Sequence, residues 1–303
     1  MCLYTEYMVN KKYKPNKKNG GKPPVCKDMR TYYVPVKCGK CLECKQQKQR
    51  EWIVRLSEEI RNDNKCLFVT LTFNETNLKS FQCSDENEIA TLAVRLFLER
   101  IRKKTRKSVK HWLITELGEE KGRIHLHGLI WAESELIKEK WQYGNVFIGS
   151  FVNERTIFYM TKYMLKEQEI KPNFEGKILC SSGIGKSYLN RADAKRNAFK
   201  GEDTNETYRL RNGQKINLPT YYRNKLYDEE QKDQLWIAKQ ERGYRYIMGE
   251  KVSTEDETTY MNLLRFYQEK GKRIHGDNPE KWDKEKHLKR LKKLQAYRKK
   301  NKL

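Results

Sequence analysis

Two histidines carry the first chemical signal in this sequence. His125 and His127 stand one residue apart in Arg123-Ile124-His125-Leu126-His127-Gly128-Leu129-Ile130-Trp131. A run this rich in Ile, Leu and Trp, with charged flanks, predicts a buried β-strand. Alternation along a strand puts both imidazoles on one face and Ile124 and Leu126 on the other. Two imidazoles on one rigid face can chelate a divalent metal; two core histidines can also simply satisfy each other and nearby backbone. The second signal is Tyr159-Met160-Thr161-Lys162, repeated at once as Tyr163-Met164-Leu165-Lys166. A spacing of four places Tyr159 and Tyr163 on one face of a helix and Lys162 and Lys166 on an adjacent one. A phenol with a pKa near ~10 is a poor nucleophile at neutral pH unless its charge is stabilised or its proton removed. A metal on the electrophile and nearby lysines would meet both needs; a half-buried amphipathic helix is the plainer alternative.

Other elements must hold these groups in place. His111-Trp112-Leu113-Ile114-Thr115-Glu116-Leu117 reads as a strand, and the charged turn from Gly118 to Gly122 joins it to the histidine strand as a hairpin. Glu116 then lies near the turn, within reach of His125 or His127, and could complete a three-ligand site with open positions. Cys66 to Phe73 has the composition of a central strand. Lys45 to Asn62 and Ala90 to Lys107 show apolar residues at helical spacing, and Ser150 to Glu169 reads as the helix bearing both tyrosines.

The bulk numbers point to a polyanionic partner. Lys and Arg number 64 against 40 Asp and Glu, a net charge of +24, and that excess must be displayed on the surface. Nucleic acid is the usual partner for such a surface. No stretch approaches the 18 or so apolar residues of a membrane span, and no signal peptide follows Met1, so the expected location is cytoplasmic, away from membrane. In that compartment the eight cysteines are free thiols or metal ligands. Cys38-Gly39-Lys40-Cys41-Leu42-Glu43-Cys44 brings three thiolates within reach of one structural zinc, with Cys26 or Cys2 as the fourth ligand. Three reduced cysteines at a helix start are the alternative.

Residues 1–36 read as irregular and basic, and the six lysines between Lys11 and Lys22 suggest a flexible arm. Ser181-Ser182-Gly183-Ile184-Gly185-Lys186-Ser187 lacks the first glycine of a nucleotide-binding P-loop, since Cys180 stands there. It reads as a turn, or as a glycine loop placing Lys186 near phosphates. Asn212-Gly213 signals a turn between short extended runs. Tyr221-Tyr222-Arg223 sets aromatics beside positive charge, as a strand-binding surface does. From Asp228 the chain reads as charged helix, with a break from Gly271 to Pro279 and a basic helix or tail from Lys281 to Leu303.

The order of parts, a Phe68–Phe73 strand, then His125-Leu126-His127, then a helix carrying Tyr159 and Tyr163, resembles the HUH endonuclease superfamily. Within it the tandem Tyr-x-x-Lys is similar to the two-tyrosine class of rolling-circle replication initiators. The Cys38–Cys44 run, Gly183-Ile184-Gly185-Lys186-Ser187-Tyr188-Leu189 and Leu218-Pro219-Thr220-Tyr221-Tyr222-Arg223-Asn224-Lys225-Leu226 resemble the replication protein of gokushovirus-like microviruses, over roughly residues 1–227. The resemblance implies an α+β fold, a central antiparallel sheet of about five strands flanked by helices. It divides the chain into a basic arm with cysteines (1–44), an endonuclease core (45–227) and a basic helical region (228–303).

It further implies that His125, His127 and Glu116 hold Mg2+ or Mn2+. A tyrosine then cuts one strand of a single-stranded or supercoiled origin and keeps the 5′-phosphate, and the freed 3′-OH primes a host polymerase with a host helicase opening the duplex. Lys162 or Lys166 would neutralise phenolate or phosphate charge. Arg123, Lys186, Tyr221, Tyr222 and Arg223 are the expected DNA contacts, and Gly128 would leave room for a DNA backbone beside the metal. Two rivals are a non-catalytic basic single-stranded DNA-binding or packaging protein and a metal-dependent nuclease that uses water.

Overall fold

The structure, a computed structural model, describes residues 2–119, 122–149, 151–165, 171 and 174–276. In chain order its helices and strands are β1 (Glu6–Val9), β2 (Tyr33–Val36), α1 (Leu42–Asn62), β3 (Leu67–Thr72), α2 (Glu75–Ser80), α3 (Glu86–Thr105), β4 (His111–Leu117), β5 (Ile124–Ile130), α4 (Ser134–Lys140), β6 (Val146–Gly149), α5 (Glu154–Lys162) and β7 (Ile178–Cys180). There follow α6 (Ala192–Lys195), β8 (Thr207–Arg209), β9 (Lys215–Asn217), α7 (Thr220–Leu226), α8 (Glu229–Glu241), β10 (Tyr244–Ile247), β11 (Glu250–Ser253) and α9 (Glu257–His275). The chain forms two compact units. One takes its described residues from Lys48–Ala194 and Arg209–Pro219, the other from Met1–Gln47, Lys195–Tyr208 and Thr220–Leu303. These boundaries differ from the expected division at 44 and 227, because the segments flanking the sheet on both sides in sequence share one unit.

The first unit is built on a five-stranded antiparallel sheet in the order β6-β3-β5-β4-β7, so the histidine strand is central. The fold is α+β, as expected. Period-two alternation decides what each face does. Ile124, Leu126 and Ile130 join Val69, Leu71 and Leu113 on one face, covered by Ile89, Ala93, Val94, Phe97 and Ile101 of α3 and by Ile137 of α4. At ~1.5–3 kcal/mol for each large apolar side chain removed from water, this face fixes the register of β5. On the other face Trp112, Ile114 and Leu129 pack with Ile53 and Leu56 of α1 and Ile157 and Met160 of α5. His125 and His127 share the parity of Leu129 and lie on this second face.

Gly128 has the opposite parity, which corrects its expected role. A Cβ there would lie 2.0 Å from the Trp112 carbonyl oxygen, so glycine is required by the close approach of β4 and not by a ligand beside the histidines.

Helix α5 is shorter than the expected Ser150–Glu169. Asn153 caps it by accepting from the Thr156 N–H, with the Thr156 side chain returning to the cap. After Lys162 the backbone tightens. The N–H groups of Tyr163, Met164 and Leu165 donate three residues back, to Met160, Thr161 and Lys162. Thr161 Oγ1 donates to the Ile157 carbonyl at 2.8 Å, a back-bond that competes with the helix ladder. Tyr159 therefore stands on the helix and Tyr163 on its C-cap.

In the second unit β1 and β2 pair antiparallel within the stretch expected to be irregular. The β10–β11 hairpin and α9 supply Ile247, Val252, Tyr260, Met261 and Leu264 to a core shared with Cys2, Leu3, Tyr4, Cys41 and Cys44. Helix α9 runs on through Gly271, where a break was expected, and ends at the left-handed Gly276. The basic stretch from Lys281 to Leu303 lies outside the described residues. Among the described residues no helix is long and apolar enough to cross a membrane.

Candidate active site

The second face of the sheet gathers polar groups at one end, where apolar cover stops. Glu116 pairs directly across from His125, and Thr70 and Ile114 flank His127. The Glu116 Oε2 atom lies 2.8 Å from His127 Nε2, one step along the diagonal of the ladder, and both side chains are buried. Thr70 Oγ1 sits 3.0 Å from His127 Nδ1. If Nε2–H donates to the carboxylate, the Thr70 hydroxyl donates to Nδ1, and both ring nitrogens are satisfied. His125 differs. Its ring centroid is 6.2 Å from that of His127, and its Nδ1 is buried without a hydrogen-bond partner. Such an atom costs ~1–3 kcal/mol and is a signature of a site that expects a ligand. Gly118 makes room for this ring, since a Cβ there would lie 2.7 Å from His125 Cε1 and 2.8 Å from Nε2.

The tyrosines reach this cluster from α5. The Tyr163 ring lies flat on His127, with centroids 4.6 Å apart and planes inclined by 10°. The Tyr163 hydroxyl donates to Tyr159 Oη at 2.6 Å. Tyr163 is 9% exposed and Tyr159 45%. Burial, then the bond to Tyr159 and the nearby negative Glu116, push the Tyr163 hydroxyl well above the ordinary phenol range. Lys162 Nζ stands 4.3 Å from the Tyr159 ring centre and 5.5 Å from that of Tyr163. Lys166 lies outside the described residues.

Two imidazoles and a carboxylate with an unsatisfied Nδ1 form a donor set suited to a divalent cation of the Mg2+ or Mn2+ kind. The structure joins Glu116 to His127 and leaves His125 a step away. Among the described residues, the group of such side chains gathered within 4.8 Å of one another is Cys2, Cys38, Cys41 and Cys44.

The expected DNA contacts divide. Arg123 is half-buried at the entry to β5, and Lys186 is exposed beside a surface cavity of about 520 Å3 lined also by Glu59, Lys110 and Gly183. The glycine loop already meets an anion from its own unit, because the Gly185 N–H donates to Glu59 Oε2 at 2.6 Å. Tyr222 is fully buried, and Arg223 is ion-paired to Glu206 at 2.6 Å, so these two are corrected from a binding surface to the packing of α7. Tyr221 is half-buried with its ring against Tyr222. Cys26 is likewise corrected, because its Sγ donates to the Asp28 carbonyl at 3.1 Å, away from the other cysteines.

Thr70, Phe68 and Gly118 escaped the sequence reading. Only the strand register reveals that Thr70 faces His127. Phe68 touches the rings of His127, Tyr159 and Phe147 at 6.5, 6.1 and 6.4 Å. Phe147, Phe151 and Phe158 are exposed by 62, 80 and 49%, and an alternating strand gives no hint of which aromatics stay uncovered.

A central H-x-H strand facing a tyrosine-bearing helix is the arrangement that the HUH resemblance leads one to expect. Residues 66–168 match the family model for the replication-associated protein ORF2, a span holding both histidines, Glu116 and both tyrosines. The chain is similar to the replication-associated protein ORF4 of Chlamydia phage 1, at 23% identity over 166 residues, 46% of this chain and 40% of that protein. It is similar also to the replication-associated protein VP4 of Bdellovibrio phage phiMH2K, at 24% over 170 residues, 47% of this chain and 51% of that protein. The matches thus span about half or less of these relatives. No solved structure matches the chain.

Proposed function

We propose that this protein is a replication initiator that nicks one DNA strand at an origin and holds the cut end as a 5′-phosphotyrosine. The observation that supports this best is the continuous contact from Glu116 through His127 and Tyr163 to Tyr159, which ties a nucleophile pair to a cluster of metal donors. His127, Glu116 and His125 would hold a Mg2+ or Mn2+ ion, whose chemistry is to polarise the scissile phosphate and offset its charge. The chain's own residues do the rest. Thr70 fixes the His127 ring through Nδ1, as an outer partner does for a ligating imidazole.

Tyr159 is the first nucleophile in this reading. Its oxygen accepts the Tyr163 hydroxyl proton in a hydrogen bond, and Lys162 lies closer to its ring, so negative charge developing there is met from two sides. Its oxygen bonds the phosphorus and the P–O3′ bond breaks. The proton lost by the phenol is matched by the one gained at the released 3′-OH. One phosphodiester replaces another, so little free energy is lost and the strand can be rejoined without ATP. Tyr163 remains for a second cut. The 3′-OH would prime a host polymerase in the bacterial cytoplasm, with a host helicase or supercoiling opening the duplex.

The test is covalent. Incubation with labelled origin single strand and Mn2+, followed by denaturation, is expected to leave a protein–DNA adduct that the Tyr159→Phe/Tyr163→Phe double variant cannot form. A water-using nuclease would instead cut without an adduct, and a packaging or binding protein would not cut at all. Either result refutes the proposal.

A further inference from the structure

We propose that Cys2, Cys38, Cys41 and Cys44 bind one structural zinc ion. The four sulfurs lie within 4.8 Å of one another, with Cys2 to Cys38 at 3.5 Å, Cys2 to Cys41 at 3.9 Å and Cys38 to Cys44 at 3.9 Å. A tetrahedral tetrathiolate with Zn–S bonds of about 2.3 Å has S···S edges of about 3.8 Å, so these separations already describe the coordination shell. They are far from the ~2.05 Å of a disulfide, and all four cysteines are free.

The backbone is arranged for sulfur anions. The N–H groups of Cys38 and Tyr4 donate to Cys2 Sγ at 3.3 and 3.4 Å, and the Cys41 N–H donates to Cys38 Sγ at 3.3 Å. Amide donors of this kind orient thiolate ligands and offset their charge. The last bond needs a sharp turn between Cys38 and Cys41, which Gly39 supplies with φ +80°. The loop then runs straight into α1, whose first turn carries Cys44.

Sulfur-only donors in a tetrahedron select zinc over the hard cations expected near His125 and His127. Three of the four cysteines are buried, and Cys2, Cys41 and Cys44 belong to the core with Ile247, Val252, Tyr260, Met261 and Leu264. A closed shell with protein on every side leaves no position for substrate, so the ion is a staple. It fastens the Cys2 segment and the 38–41 turn to the start of α1. The proposal does not depend on the nicking chemistry.

The test uses the full chain, purified reduced and washed with a weak chelator. Elemental analysis is expected to find one zinc per chain, released as a mercurial reagent titrates the thiols. Cys2→Ser should lose most of that zinc, and Cys26→Ser should keep it. Should Cys2→Ser fail to fold, the wild-type chain reconstituted with Co2+ decides the matter through thiolate-to-cobalt charge-transfer and tetrahedral d–d absorption. Folded wild-type chain free of metal and silent with Co2+ overturns the proposal. So does iron in place of zinc, or zinc loss in Cys26→Ser equal to that in Cys2→Ser.

Discussion

The Tyr163 hydroxyl donates its hydrogen bond to Tyr159 Oη over 2.6 Å, so two identical side chains hold different roles before any DNA arrives. One is the buried donor stacked on His127; the other is the exposed acceptor beside Lys162. Single substitutions should separate them. Tyr159→Phe is expected to lower formation of the first covalent adduct by about 100-fold or more, as loss of a nucleophile does. Tyr163→Phe should keep first-strand adduct formation within about tenfold, the scale of one lost hydrogen bond, and abolish the second cut. Adduct yield on a single-site oligonucleotide and strand transfer on a two-site one give the two readings; equal loss of first adduct in both variants would refute the assignment.

Thr70 acts on the chemistry only through His127. Thr70→Val removes the Nδ1 partner and is expected to cost about 10- to 100-fold in metal affinity or cleavage rate, the usual scale for an outer partner of a ligating imidazole. Thr70→Ser should restore most of it. A purely structural role would show instead as a fall in melting temperature that Thr70→Ser leaves uncorrected.

The two glycines near the histidines should fail differently. At Gly128 an added methyl would meet the β4 backbone, which has nowhere to go, so Gly128→Ala is expected to destabilise the fold by about 3 kcal/mol or more, read by denaturant unfolding. At Gly118 the methyl meets the movable end of His125, so Gly118→Ala should stay folded and lose metal-dependent cleavage. Equal stability losses in the two variants would contradict this.

Tyr163 also makes stability depend on alkaline pH. Its hydroxyl titrates higher in the folded chain than the ~10 of an unfolded tyrosine. Between those values the folded state holds the proton that the unfolded state has lost, so stability falls as pH rises. The contribution is fully present below pH ~10 and is lost progressively above it. Chemical denaturation across that range should show a shallower decline for Tyr163→Phe than for the parent chain, and identical slopes would remove the claim.

Phe147, largely exposed on β6 and edge-on to Phe68, is placed to stack on a base next to Tyr159. Phe147→Ala is expected to weaken single-stranded DNA binding by about 1–3 kcal/mol, the worth of one base–aromatic stack. Fluorescence anisotropy at fixed salt measures it, with thermal unfolding as the control. Binding unchanged by Phe147→Ala would place the strand elsewhere.

The sheet face and its chemistry were legible because they obey short-range rules. Alternation put His125 and His127 on one side, and the hairpin brought Glu116 to them, as the ladder does with Glu116 opposite His125. What sequence could not give were relations set by packing. The parity of Gly128 was available, yet the nearness of the Trp112 carbonyl depends on strand spacing. Tyr222 looked like a surface residue until α7 turned it inward. Cys2 and Cys26 were equal candidates by spacing, and the fold of the second unit chose Cys2.

Because β5 is the central strand, hydrogen-bonded on both sides, its register has no tolerance for error. A slip of a single residue would turn His125 and His127 into the α3 core and present Ile124 and Leu126 to the tyrosines. The apolar side of the strand therefore acts as a proofreader for the polar side: a chain either assembles the whole reactive surface or none of it. Core variants of this protein should accordingly lose activity as a falling fraction of competent molecules, each survivor working at the parental rate.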